Sequence, residues 1–299
     1  MTAKRKSQFN TKDLIIAFGV LPLIVFLYLV AYFAAFAITV MAGGVNVLDS
    51  ETAIVNEGVF NFIRYALSLV VLGWIYYRGF YNYDRADEKE VDDRKESVKN
   101  SLSYSLQPLS LLALLLAGFT IQLGTDSVLY ILGTLYPTTF ASYQHMMETF
   151  TGSLSPLFII TSITLGPIVE ELAFRGLIIR HLQRLTTPDN KKAQIAICTF
   201  QALLFAVYHV NLVQMCYAFI FGMLFGFLAI RFKSLLPSIL LHMIVNGSLY
   251  VIPEAFLANI YHAALLGAIS LLLLVASILI FVLRASEKPS ESSRQHTPS

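Results

Sequence analysis

Two adjacent carboxylates interrupt an apolar run in Gly166-Pro167-Ile168-Val169-Glu170-Glu171-Leu172-Ala173-Phe174-Arg175-Gly176, and an arginine follows one helical turn later. The run extends from about Leu154 to Ile179, long enough to cross a bilayer. Each ionisable group at mid-depth there costs a few kcal/mol, so three within six residues mark a functional place. In a helix, Glu171 and Arg175 stand at i and i+4 on one face and can pair. Glu170 turns about 100° away and has no obvious local partner. Gly166-Pro167 is expected to kink the span or restart it, which leaves Glu170 near a helix start whose dipole favours the ionised form. The expectation is one structural ion pair, Glu171 with Arg175, beside one carboxylate, Glu170, available for chemistry.

Later apolar runs carry the complementary groups. His209 closes Phe205-Ala206-Val207-Tyr208-His209. His242 and Asn246 stand at i and i+4 in His242-Met243-Ile244-Val245-Asn246, so they share a helical face and can address one ligand. A single intramembrane histidine bonded to a backbone carbonyl would be ordinary. A carboxylate, two imidazoles and an amide on three apolar segments are not explained by packing alone.

Composition supplies the elements that must position these groups. The 299 residues are 56% hydrophobic and 13% charged, with mean hydropathy +0.66, whereas soluble domains carry about a quarter charged residues. Apolar runs fall at about residues 14–41, 58–77, 108–135, 154–182, 193–213, 215–230, 235–252 and 263–283. They predict an all-α, polytopic membrane protein with about eight transmembrane helices. The chain reads as a single integral membrane domain, 1–299, with a motif-bearing catalytic core at 154–252. A charged cytoplasmic loop at 79–104 and a disordered Ser/Pro/Glu-rich cytoplasmic tail at 285–299 complete it. Residues 136–151 lack Lys and Arg and read as a loop. The first run is too long for a signal peptide and lacks a small-residue cleavage site, so it reads as a retained span.

The basic residues set the orientation. With eight spans, 19 of the 21 Lys and Arg fall on the side of the N-terminus, all but Arg64 and Arg175, which lie inside spans. The opposite loops have none, so both termini are expected in the cytoplasm. The net charge of +2 is spread over many loops and points to no nucleic-acid partner. Cys198 and Cys216 lie inside apolar spans and imply neither a disulfide framework nor a cysteine metal site. At about 1.5 Å per residue, Glu170 and His242 fall about 12–15 Å from the basic ends of their spans. His209 falls about 25 Å from Lys192, so straight, evenly placed spans do not bring the three level.

Glu-Glu-x-x-x-Arg, then Phe-x-x-x-His, then His-x-x-x-Asn, in order on successive apolar runs, resembles the CPBP family. These are CAAX prenyl endopeptidases and bacteriocin-processing or immunity proteins, also called Abi. Glu170, Glu171, Arg175, Phe205, His209, His242 and Asn246 carry the likeness. It covers about Leu154 to Ile252. It implies an intramembrane endopeptidase with a water-accessible cavity, acting on a membrane-associated peptide or lipidated protein such as a CAAX-type tail, leader peptide or pheromone precursor. By this likeness Glu170 and His209 activate water, His242 and Asn246 stabilise the oxyanion, and Arg175 holds the helix geometry. Elementary chemistry agrees: hydrolysis needs a base suited to the operating pH and donors aimed at the developing oxyanion.

Glu170, His209 and His242 could instead hold zinc with a position open for water, so the cofactor stays open. No His-Glu-x-x-His helix exists, no Gly-x-Ser-x-Gly element lies in a span, and no aspartates face each other within the spans. The alternative within the same family is a non-catalytic bacteriocin-immunity or regulatory membrane partner. A proton-coupled transporter is disfavoured because the halves show no inverted repeat. Gly222-x-x-x-Gly226 reads as internal helix packing. Short loops and few cysteines lean towards a bacterial plasma membrane. The oligomeric state is not fixed by the sequence.

Overall fold

A computed structural model describes residues 10–41, 50–81, 88–152, 155–187, 189–252 and 256–287. The expected basic N-terminus (Lys4, Arg5, Lys6), the Arg85 and Asp87 part of the charged loop, and tail residues 288–299 lie outside these. Every regular element among the described residues is helical. In order they are α1 (Thr11–Met41), α2 (Ser50–Tyr81), α3 (Glu88–Ser105), α4 (Pro108–Leu135) and α5 (Pro137–Gly152). The motif run follows as α6 (Pro156–Ile160), a π-helical turn π1 (Thr161–Leu165), α7 (Gly166–Glu171), a second π segment π2 (Leu172–Ile179) and α8 (Arg180–Arg184). The chain ends with α9 (Lys191–Tyr208), α10 (Leu212–Phe232), α11 (Leu236–Ser248) and α12 (Ile260–Glu287).

Six of these segments are long and apolar enough to span a membrane: α1, the Gly58–Arg78 part of α2, α4, the Pro156–Arg184 run, α10 and the Ile260–Arg284 part of α12. The protein is a multi-pass membrane protein. The remaining two expected spans correspond to α11, an apolar helix of only 13 residues, and α9, whose Lys191, Lys192, Gln194 and Gln201 lower its hydropathy. Two expected loops are helical instead. Much of 79–104 is α3, and 136–151 is α5, whose start Pro137 suits by its fixed φ and missing N–H.

The Pro156–Arg184 run occupies the centre. All eight residues of π2 are buried, and α1, α2, α9, α10 and α11 pack around the run. One apolar core joins Val20 of α1, Leu72 of α2, Leu172, Phe174 and Ile178 of the run, and Phe205 of α9. A second joins Tyr104, Leu114, Phe225, Leu241 and Phe281, so that α12 packs chiefly on α4. Glycines set the closest approaches. A Cβ on Gly222 would stand 3.0 Å from the Ala202 Cα, and one on Gly226 2.8 Å from the Cys198 Sγ. Gly222 and Gly226 thus seat α10 against α9, as the small-residue spacing predicts.

Candidate active site

Pro167 shapes the site. A proline inside a helix removes one ladder hydrogen bond, and here the preceding turn widens to π geometry. The Gly166 N–H reaches back to the Thr161 carbonyl. In that register the Ser162 carbonyl would take the N–H of residue 167, which proline lacks. The Asn246 side-chain amide fills that place, donating from Nδ2 to the Ser162 carbonyl at 3.0 Å. Asn246 is therefore fixed by the backbone break that Pro167 creates, and one of its amide N–H groups is committed there.

Glu171 is fully buried and accepts from Arg175 Nη1 at 2.9 Å. Arg175 Nη2 also donates to the Gly222 carbonyl at 3.4 Å, and its guanidinium lies 4.4 Å from the Phe205 ring centroid. The same Glu171 Oε1 stands 3.0 Å from Nδ1 of His242. Facing a carboxylate already engaged by arginine, that Nδ1 carries the proton and donates it. Glu171 thus does more than the sequence indicates: it sets the tautomer and the ring orientation of His242. The opposite edge of the ring, Nε2, lies 3.7 Å from Glu170 Oε2. Phe225 stacks on the imidazole with centroids 4.8 Å apart.

His209 ends up beside the same cavity because α9 stops abruptly at Tyr208. Val210 adopts φ 62°, a left-handed conformation that strains a β-branched residue. Asn211 then caps α10, accepting from Val213 N at 3.0 Å and Gln214 N at 3.2 Å. This tight turn ends the span five residues earlier than the sequence suggests. Nδ1 of His209 donates to the Phe205 carbonyl at 2.7 Å, so in the neutral ring Nε2 keeps its lone pair. Phe205 packs edge-on against both His209 and His242, at centroid distances of 4.7 and 6.0 Å.

Glu170, His209, His242, Asn246 and Phe205 all line one cavity of about 820 Å³. The three groups that simple helix arithmetic leaves at unequal depths therefore share one chamber. Since α9 does begin at Lys191, a late start to that span is not the reason. Glu171 and Arg175 stand behind the wall.

Arg64 also lines the cavity, and it is the single Lys or Arg among the described lining residues. Its guanidinium lies 4.2 Å from the Tyr65 ring centroid and 5.6 Å from that of Tyr28. The sequence places it inside a span, which is the signal that could have nominated it. Tyr65 packs where Gly166 leaves room: a Cβ there would meet the Tyr65 Cζ at 3.1 Å.

Glu170, His209 and His242 are the possible metal set. Each histidine keeps Nε2 for a ligand, yet among the described residues no three His, Cys, Asp or Glu side chains gather as a metal-binding group. As arranged, these residues do not make a three-ligand site.

Residues 152–248 match the model of a family described as type II CAAX prenyl endopeptidase, Rce1-like. This segment is thus similar to the CPBP/CAAX protease family. It contains every motif residue named above, and the match supports a CAAX-type intramembrane protease as the kind of function. No curated protein and no solved structure matches the chain.

Proposed function

We propose that the chain is an intramembrane endopeptidase that hydrolyses a peptide bond in a membrane-associated substrate, by water activation at Glu170 and His209. Candidate substrates are a CAAX-type tail, a leader peptide or a pheromone precursor. The carrying observation is the convergence of Glu170, His209, His242 and Asn246 on one cavity of about 820 Å³, a size that suits a short peptide. Glu170 takes a proton from a water that the His209 Nε2 lone pair orients. The resulting hydroxide attacks the scissile carbonyl. The oxyanion meets the second Asn246 amide N–H and the Nε2 edge of His242, to which the proton crosses from Glu170. Collapse of the tetrahedral intermediate breaks the C–N bond, and the departing amine takes that proton. Glu171 and Arg175 hold His242 in register throughout. Eight spans, with α9 and α11 completing the six longest, and both termini in the cytoplasm fit the distribution of basic residues, and the two cysteines of the chain suit a bacterial plasma membrane.

The test is cleavage of candidate membrane-associated peptides by purified protein in detergent, beside Glu170→Ala and His209→Ala, each with and without a chelator. Cleavage by the wild type, lost in both variants and indifferent to the chelator, is expected. Equal cleavage by all three proteins overturns the assignment. Loss to the chelator with recovery on added zinc moves His209 and His242 into a ligand shell.

A further inference from the structure

The cavity extends from mid-depth, at Glu170 and His242, away from the basic termini of the helices that line it. In α2, Arg64 lines it while Arg78 marks the other end; in the motif run, Glu170 lines it while Arg184 ends the run. In α9 the lining residues are Phe205 and Tyr208, far from Lys191 at its start. In α10, Gln214 lies near the start and Arg231 in the last turn. Each of these four helices therefore gives its basic terminus to one side and its cavity residues to the other.

Packed protein lies between the cavity and the basic end. π2, which lies between Glu170 and the basic turn of α8, is buried over all eight residues. Beyond it, Asp13 at the start of α1 accepts from Arg184 at 3.3 Å and contacts His181, with Asp13 and His181 both buried. These contacts tie α1 to α8 on the side that carries the positive charge. On the opposite side, the turn bearing His209 leaves Val210 85% exposed at the cavity rim.

Basic residues stay in the cytoplasm because their translocation is disfavoured. We propose that the catalytic cavity opens to the non-cytoplasmic face, and that its substrates are peptide segments presented from that face, leader-like or pheromone-like rather than tails displayed in the cytoplasm. The substrate part of this inference rests on the endopeptidase reading; the sidedness does not.

Two measurements on membrane vesicles separate the two. In a Cys198→Ser, Cys216→Ser background, Gln214→Cys and Lys191→Cys are labelled with a membrane-impermeant maleimide in right-side-out and in inverted vesicles. Gln214→Cys is expected to react in right-side-out vesicles and Lys191→Cys in inverted ones; Val210→Cys repeats the first test at the rim. Labelling of the cavity position in inverted vesicles, from either variant, overturns the proposal. A quenched fluorescent leader peptide added to both preparations is expected to be cleaved at least about tenfold faster by right-side-out vesicles. Equal or faster cleavage by inverted vesicles also overturns it. Correct labelling without cleavage in either preparation contradicts the endopeptidase reading, and with it the substrate class, while the sidedness stands.

Discussion

The motif run Pro156–Arg184 and the span Ile260–Arg284 of α12 are close in length, at 29 and 25 residues, and opposite in environment. The motif run has hydropathy 1.7 and is 61% buried; the α12 span has 2.9 and is 17% buried. In water the more apolar helix would be the one inside. In a bilayer, lipid accepts leucine without penalty, whereas Glu170, Glu171 and Arg175 need protein or a water-filled cavity around them. Between these two, burial follows polarity, and the run that carries three ionisable groups takes the centre of the bundle. Gly222 and Gly226 allow this by bringing α10 close to α9, so that the Gly222 carbonyl is within reach of Arg175 and of Gln201, which donates to it at 2.7 Å.

Breaking that difference at its strongest point is expected to have the largest effect. His209→Ala removes a proposed water-orienting group and should lower kcat by about 10²- to 10⁴-fold. Peptide cleavage in detergent checks this, and an unchanged unfolding midpoint would show that the loss is chemical. Arg175→Ala leaves Glu171 as an uncompensated buried charge and should cost about 3–5 kcal/mol. Denaturant unfolding measures it, and replacing both partners together by leucine should recover much of the loss. The contrast itself sharpens with one leucine from each helix. Leu177, 1% exposed in π2, should cost about 2–5 kcal/mol on truncation to alanine. Leu272, 72% exposed on α12, should stay within about 0.5 kcal/mol. The smallest effect concerns the turn at His209: Val210→Gly relieves the left-handed strain and should stabilise the fold by about 1 kcal/mol, read as a higher midpoint.

All seven motif residues could be named from the sequence because each polar one is conspicuous in an apolar run, and the likeness to a known family orders them. Their joint roles were less legible. That Glu171 orients His242 depends on α11 docking against α7, a contact between residues 71 positions apart that no local pattern announces. The bond from Asn246 to Ser162 needs the π turn before Pro167; proline predicted a break there, but not its form. Arg64 carries the same signal as the glutamates, weakened by its place near the end of its span. α5 is not announced by its sequence, which, with Thr, Ser, Gln and Glu among its aromatics, is neither strongly apolar nor strictly periodic. The early stop of α9 follows from Val210 taking a conformation its residue type disfavours, which sequence preference cannot foresee.

The central claim divides two adjacent carboxylates between chemistry and structure. It is tested most directly by Glu170→Gln and Glu171→Gln, assayed together for peptide cleavage and for thermal unfolding in detergent. The account predicts that Glu170→Gln unfolds close to the wild type and does not cleave, and that Glu171→Gln unfolds at a clearly lower temperature. Cleavage retained by Glu170→Gln, or a Glu171→Gln protein as stable as the wild type, would contradict it.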